Sequence, residues 1–280
     1  VFGIEKKQFP YTLCVTNLLL HGIDTPLVYH DNSLTKDVLN YTDEDKFDVV
    51  LMNPPYGGNE KSDVKSHFPS DMRSSETADL FMVLIMYRLK KNGRAAVIVP
   101  DGFLFGADNT KIAIKTKLLR DFNLHTIIRL PGSIFAPYTS IATNILFFDN
   151  TCAEGAPEGY STKETWFYRL DMPEGYKHFS KTKPMKSEHC DPIREWWNDR
   201  KEIIIADGDE KSRCYSVEDL IATDCNFDLC KFPKEDEEIL PPAELLADYF
   251  KKRKALDHEI DKTLAEIQRI LGIEVNVDEL

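Results

Sequence analysis

Four consecutive residues, Asn53-Pro54-Pro55-Tyr56, combine backbone constraint and side-chain chemistry in a way that suits one task. They follow the apolar run Phe47-Asp48-Val49-Val50-Leu51-Met52 and precede Gly57-Gly58. Two prolines in a row remove two backbone donors and fix φ twice, forcing a rigid turn that leaves carbonyls and the Asn side chain free. A primary aromatic amine is a poor nucleophile because its lone pair is delocalised into the ring. The Asn53 side-chain oxygen and the Pro54 carbonyl can each accept one of its N–H bonds. That draws the nitrogen toward tetrahedral geometry and aims its lone pair at an electrophile. Tyr56 offers a face on which a flat, extruded base can stack. The plainer alternative is a Pro-Pro turn with a capping Asn.

Such a turn needs a buried strand to carry it, and the flanking sequence supplies several. Val1-Phe2-Gly3-Ile4 ends at Glu5, and a helical pattern runs from Tyr11 to His21 and stops at Gly22. Leu27-Val28-Tyr29 leads into His30-Asp31-Asn32-Ser33. Thr77 is the expected cap of a helix over Leu80–Met86, closed by Lys90-Lys91-Asn92-Gly93. Further strands are expected at 95–99, 124–130 and 141–148, with a helix at 110–119. Apolar strands alternating with helices predict an α/β domain over residues 1–150, its sheet mainly parallel and covered on both faces. Residues 151–240 form the expected α+β extension, with a strand at Trp166–Leu170 and a helix at Pro192–Asn198. Residues 241–280 hold one long helix beginning at Pro242, with Gly272 as its stop and the charge run Lys234–Glu238 ahead of it. Its stripe of Leu246, Tyr249, Leu256, Ile260, Ile267 and Ile270 is an imperfect heptad pattern, which we read as a partner-docking face.

The chain has 280 residues, 42% hydrophobic and 29% charged, which excludes wholesale disorder and fibrous repeats. Its net charge of −12 excludes an isolated DNA clamp, which must be basic to neutralise phosphates. If nucleic acid is bound, a partner has to supply positive surface. The six cysteines form no Cys-x-x-Cys and are expected to be scattered buried thiols of a reducing cytosol. The seven histidines show no metal spacing, so no metal is expected. No apolar run approaches a membrane span of about 20 residues, and the expected location is cytoplasmic.

Together these segments resemble the modification (M) subunits of type I restriction–modification systems, adenine-N6 DNA methyltransferases that use S-adenosylmethionine. The resemblance rests on Gly3-Ile4-Glu5, Asp31-Asn32-Ser33-Leu34, Asn53-Pro54-Pro55-Tyr56, the strand Gly93–Pro100, and the block from Ile128-Arg129-Leu130-Pro131 through Phe135 to Thr143-Asn144-Ile145-Leu146-Phe147-Phe148. It implies a Rossmann-like methyltransferase sheet, and it implies roles. Asn53, Pro54, Pro55 and Tyr56 would be catalytic. Tyr56 and Phe135 would hold a flipped adenine between them. Glu5 would take the ribose hydroxyls of S-adenosylmethionine, with Asn32 and Asp31 beside its adenine. It implies assembly with a specificity (S) subunit that reads the sequence, with DNA bound through the complex, and with a restriction (R) subunit. It gives no role to Arg129, Thr143 or Asn144.

One departure separates the chain from that family. The Gly-rich cofactor loop and its strand, which precede the Glu-bearing strand in the family, have no counterpart here. The expectation is therefore the C-terminal portion of an M subunit, its sheet truncated at a central strand and open to self-association through exposed edges. The rival reading is an assembly fragment that binds the specificity subunit without catalysis.

Overall fold

The computed structural model describes residues 1–205, 208–230 and 242–271, within two compact units, Val1–Pro233 and Lys234–Leu280. The first unit opens with strand β1 (Phe2–Glu5), helix α1 (Gln8–Leu20) and strand β2 (Leu27–His30). Next come β3 (Phe47–Met52), the short α2 (Ser62–Lys65), α3 (Thr77–Arg88), β4 (Leu89–Pro100), α4 (Asp101–Phe105) and α5 (Asn109–Asp121). They are followed by β5 (Asn123–Arg129), β6 (Thr143–Asp149), β7 (Glu164–Arg169), α6 (Asp191–Asn198), β8 (Ile203–Ile205), β9 (Asp209–Ser216) and α7 (Val217–Ala222). The second unit holds α8 (Pro242–Leu271), about 45 Å long at 1.5 Å per residue. The expected charge run Lys234–Glu238 and the stop at Gly272 lie outside the described residues.

A seven-stranded sheet runs in the order β3-β4-β6-β5-β7-β9-β8, and β1 and β2 form a separate parallel pair. The α/β architecture matches expectation, but the sheet is mixed rather than mainly parallel. Strand β6 runs antiparallel to both β4 and β5. The cause is the 130–142 connection, which carries no crossover helix and returns the chain as a wide hairpin. Buried apolar runs report burial but not direction, so this reversal has no periodicity signature. Strands β7, β9 and β8, from the segment after residue 150, extend the same sheet.

Helix α3 is the core element, with Leu80, Met82, Val83, Leu84, Ile85 and Met86 all buried. It packs with Leu34, Val97, Phe103, Leu118 and Phe148, each side chain stabilising the fold by about 1.5–3 kcal/mol. Its start differs from expectation. Glu76 takes the cap position with extended φ −84° and ψ 130°, and Thr77 is the first helical residue. The Thr77 hydroxyl is engaged elsewhere, donating to the Gly58 carbonyl at 2.9 Å. The expected stop at Lys90–Gly93 lies inside β4, because the helix passes directly into the strand at Leu89, paired with Phe47. There Asn92 has φ 62°, and backbone bonds of 2.9 and 2.8 Å join Asn92 and Gly93 to Asn150. Gly93 is required: a Cβ would lie 2.9 Å from the Lys90 carbonyl and 3.1 Å from that of Asp48.

The thiols also differ from expectation. All six are free, but only Cys225 and Cys230 are buried, while Cys14 and Cys152 are exposed. Trp196 packs on Trp166 and Tyr168, and Trp197 on Phe147, so the tryptophan pair covers the β6-β5-β7 face. Among the described residues no helix is long and apolar enough to cross a membrane, and no acidic, His or Cys cluster is placed to hold a metal ion.

Candidate active site

Strands β1 and β3 do not pair. A cleft of about 830 Å³ runs between them, lined on one side by residues 1–7 and on the other by 47–55. It is closed near the start of the strands by Phe2 against Phe47, and near their carboxyl ends by a Lys6–Glu60 ion pair of 3.2 Å. The Asn53–Tyr56 turn leaves the carboxyl end of β3, where ligand sites of open α/β sheets form. Asn53, Pro54 and Pro55 line the cleft together with Glu5, Asn32 and Ser33. One Glu5 oxygen accepts from the Lys7 backbone N–H at 2.8 Å. Asn32 Oδ1 accepts from the Leu34 N–H at 3.1 Å, an Asx turn that leaves its amide N–H groups as the donors. Asp31 is not part of the lining; it is exposed, and its carboxylate accepts from the Asn32 N–H at 2.7 Å.

Tyr56 and Phe135 also lie outside that lining, and they pair with each other. Their ring centroids are 5.6 Å apart at 52°. Phe135 sits in a run of turns after β5, in which Ile134 donates to Pro131 and Tyr138 back to Phe135. The Tyr56 hydroxyl donates to Asn53 Oδ1 at 2.5 Å, and burial pushes its phenol above its ordinary value against the lowering effect of that bond. Asn53 therefore stands between two spaces, a polar-lined cleft on one side and an aromatic pair on the other.

Arg129 and Asn144 have structural surroundings that the sequence does not announce. Arg129 is buried at the end of β5, and its guanidinium donates to Asn144 Oδ1 at 3.3 Å, to the Cys230 carbonyl and to Asp228. Asn144 in turn donates to Asp101 at 2.5 Å. This junction ties the ends of β4, β5 and β6 to the segment around Asp228. Residues as far as 101 positions apart meet here, and no local spacing marks them.

Comparison with known proteins identifies the family of the chain. The sequence model of the N-6 DNA Methylase family matches residues 1–239. The chain belongs to the N-6 DNA methylase family. Over 275 residues it is 43% identical to the Escherichia coli type I restriction enzyme EcoEI methylase subunit, covering 97% of this chain and 53% of that one. A solved chain from a study of complex assembly and conformational transition in the type I restriction–modification system is 34% identical, with a TM-score of 0.70. It covers 98% of this chain and 55% of that one. The EcoKI M protein structure, 24% identical, shares the fold with a TM-score of 0.67, covering 95% of this chain and 60% of that one. The chain spans about half the length of the curated relatives it matches.

Proposed function

We propose that this chain carries the base-acceptor half of an adenine-N6 DNA methyltransferase of a type I restriction–modification system. One observation carries the reading: Asn53, Pro54 and Pro55 line the same cleft as Glu5 and Asn32, with the Tyr56–Phe135 pair beside them. Asn53 Oδ1 and the Pro54 carbonyl accept the two N–H bonds of a flipped adenine amine and hold its lone pair in one direction. Tyr56 and Phe135 stack on its faces, which offsets part of the cost of taking the base out of the duplex.

The donor set fits the ribose and adenine end of S-adenosylmethionine. The cleft volume is within the range of small-molecule sites, about 300–1,000 Å³. Glu5 brings a carboxylate for the ribose hydroxyls, and the Asn32 amide faces the same lining for the adenine ring. When bound, S-adenosylmethionine supplies an electrophilic methyl group on a sulfonium, and no metal is needed for that chemistry. Asp31 acts through Asn32, whose backbone its carboxylate holds.

The partners follow from charge and shape. A chain of net charge −12 takes DNA within a complex whose other members supply basic surface. Along α8, Leu246, Tyr249, Leu256, Ile260, Leu264, Ile267 and Ile270 are exposed. We assign that stripe to docking on a specificity subunit, with a restriction subunit joining the same assembly. The test is methylation by the full-length protein with its specificity subunit, using labelled S-adenosylmethionine and unmethylated DNA. N6-methyladenine in the digest is the expected product; methyl label on cytosine, or none on DNA, would remove the reading.

A further inference from the structure

We infer that Thr77 is a positioning residue for the catalytic turn, acting through the Gly58 carbonyl and itself held by a buried ion cluster around Asp79 and Lys111. The inference rests on the methyltransferase reading above. Beyond Tyr56 the chain enters Gly57-Gly58-Asn59-Glu60, whose course sets where the catalytic turn ends and where the Glu60 rim of the cleft stands. Gly58 has φ 109°, a conformation L side chains rarely adopt. Two donors from one residue fix its carbonyl: the Thr77 backbone N–H at 3.2 Å and the Thr77 hydroxyl at 2.9 Å. The next residue, Asn59, makes an isolated antiparallel bridge with Glu76. The loop is thus fastened at consecutive positions to the cap and first residue of α3, the most buried helix among the described residues.

That first turn is fastened in its own right. Asp79 is fully buried, and one of its oxygens accepts from the Ser74 hydroxyl at 2.6 Å and pairs with Lys111 at 3.0 Å. Ser74 Oγ also accepts from the Glu76 N–H at 3.0 Å. Lys111, itself buried on α5, reaches Glu76 at 2.8 Å and Asp108 at 3.5 Å. Burial favours the neutral form of both partners, yet Glu76 and Asp79 outweigh it at Lys111 and keep the ammonium charged. Side chains from α3 and α5 therefore converge on the residues flanking Thr77. Fixed geometry of this kind matters because a displacement of about 1 Å at a reacting group can cost on the order of a hundredfold in rate.

The experiment uses the full-length protein assembled with its specificity subunit, and reads single-turnover methylation alongside calorimetric S-adenosylmethionine affinity. Thr77 also lines the cleft, and Thr77→Val keeps the side chain's shape there while removing the hydroxyl. It is expected to slow transfer about tenfold while cofactor affinity stays within about twofold, and Thr77→Ser is expected to restore the rate. Gly58→Ala is the second variant, its added Cβ lying 3.3 Å from the Thr77 hydroxyl oxygen. It should slow transfer in the same way, and combined with Thr77→Val it should cost less than the product of the two effects, because both act on one carbonyl. Wild-type rates in Thr77→Val, failure of Thr77→Ser to rescue, fully multiplicative effects, or loss of cofactor affinity in step with rate would each overturn the inference alone. A wild-type complex that methylates no adenine would overturn the functional reading and this inference with it.

Discussion

The rings of Phe2 and Phe47 stand 5.1 Å apart, and through them β1 meets the edge of the main sheet without a backbone hydrogen bond. Arg88 lies over both rings and over Tyr41, and its guanidinium also donates to the Asp45 carbonyl at 3.0 and 3.1 Å. A cation over these tilted rings holds the floor of the cleft, each such contact contributing about 0.5–2 kcal/mol. The Lys6–Glu60 pair at the opposite end is partly exposed and contributes less, about 0–1 kcal/mol. Between them the lining carries Glu5, Asn32 and Asn53.

Glu5 is the first of these to test. Calorimetric titration of S-adenosylmethionine into the chain and its Glu5→Gln variant should show the variant weaker by about tenfold, the value of a charge-assisted hydrogen bond. Equal affinities would remove Glu5 from cofactor binding. Absence of binding to the wild-type chain, with binding to the full-length protein, would show that the cleft needs further residues.

Asn53→Ala should cut methyl transfer by the assembled protein about 10²–10³-fold, as removal of one preorganised polar group at a reacting centre does. Asn53 is exposed, so the melting temperature should move by less than a degree or two. Unchanged turnover in a folded variant would exclude the acceptor role.

The Tyr56–Asn53 hydrogen bond leads to a less obvious outcome. At 5.6 Å the Tyr56 and Phe135 rings are closer than the roughly 7 Å that a base sandwiched at two stacking distances needs. Entry of a base therefore requires Tyr56 to move and give up its bond to Asn53 Oδ1. Tyr56→Phe keeps the stacking face and removes that bond. Base extrusion, read from 2-aminopurine fluorescence at the target position, should rise about fivefold, matching about 1 kcal/mol for a neutral hydrogen bond. In an Asn53→Ala background the same substitution should change nothing, and a gain there would place the effect elsewhere.

Lys115 supplies a pH test of the fold. It is fully buried on α5, donates to the Leu104 and Gly106 carbonyls at 3.0 and 2.9 Å, and is pushed down to about 8 by burial, from an ordinary 10.5. Between those values the unfolded chain binds a proton that the native state does not, so the lysine's cost is fully present below about pH 8 and is relieved as pH rises toward 10.5. The stability difference between wild type and Lys115→Met, from urea unfolding, should therefore shift in favour of wild type across that window, by up to about 1.4 kcal/mol per pH unit. A flat difference would show that the two carbonyls hold the ammonium charged throughout.

Local chemistry was readable where one element carried it. Glu5 and Asn53 each close an apolar run, and both come out at or just beyond strand ends on one cleft, whose other end Phe2 and Phe47 close. The helix after residue 76 was visible in its apolar run, but the partner of Thr77 was not, since Gly58 lies 19 positions away in a loop with no periodicity. The same holds for Arg129, whose partners at 144, 228 and 230 are brought near only by the sheet order. The pairing of Tyr56 with Phe135 came from family resemblance, because nothing in spacing links residues on turns after different strands. The reversal of β6 was hidden for a different reason, since a buried run reads the same in either direction.

Helix α1 lies over β1 and β2 without a single buried residue, and Phe9, Leu13 and Leu20 remain exposed along it. Little apolar surface is lost from water when it forms, so its opening costs far less than melting the seven-stranded sheet. Its amides, together with those of the β1–β2 pair, should trade hydrogen for deuterium through a low-energy local excursion, while Val97, Ile127 and Leu146 exchange only through global unfolding. Two protection classes inside one continuous unit would place the cleft-lining Glu5 on the first part of the molecule to open and the Asn53 turn at the border of the last.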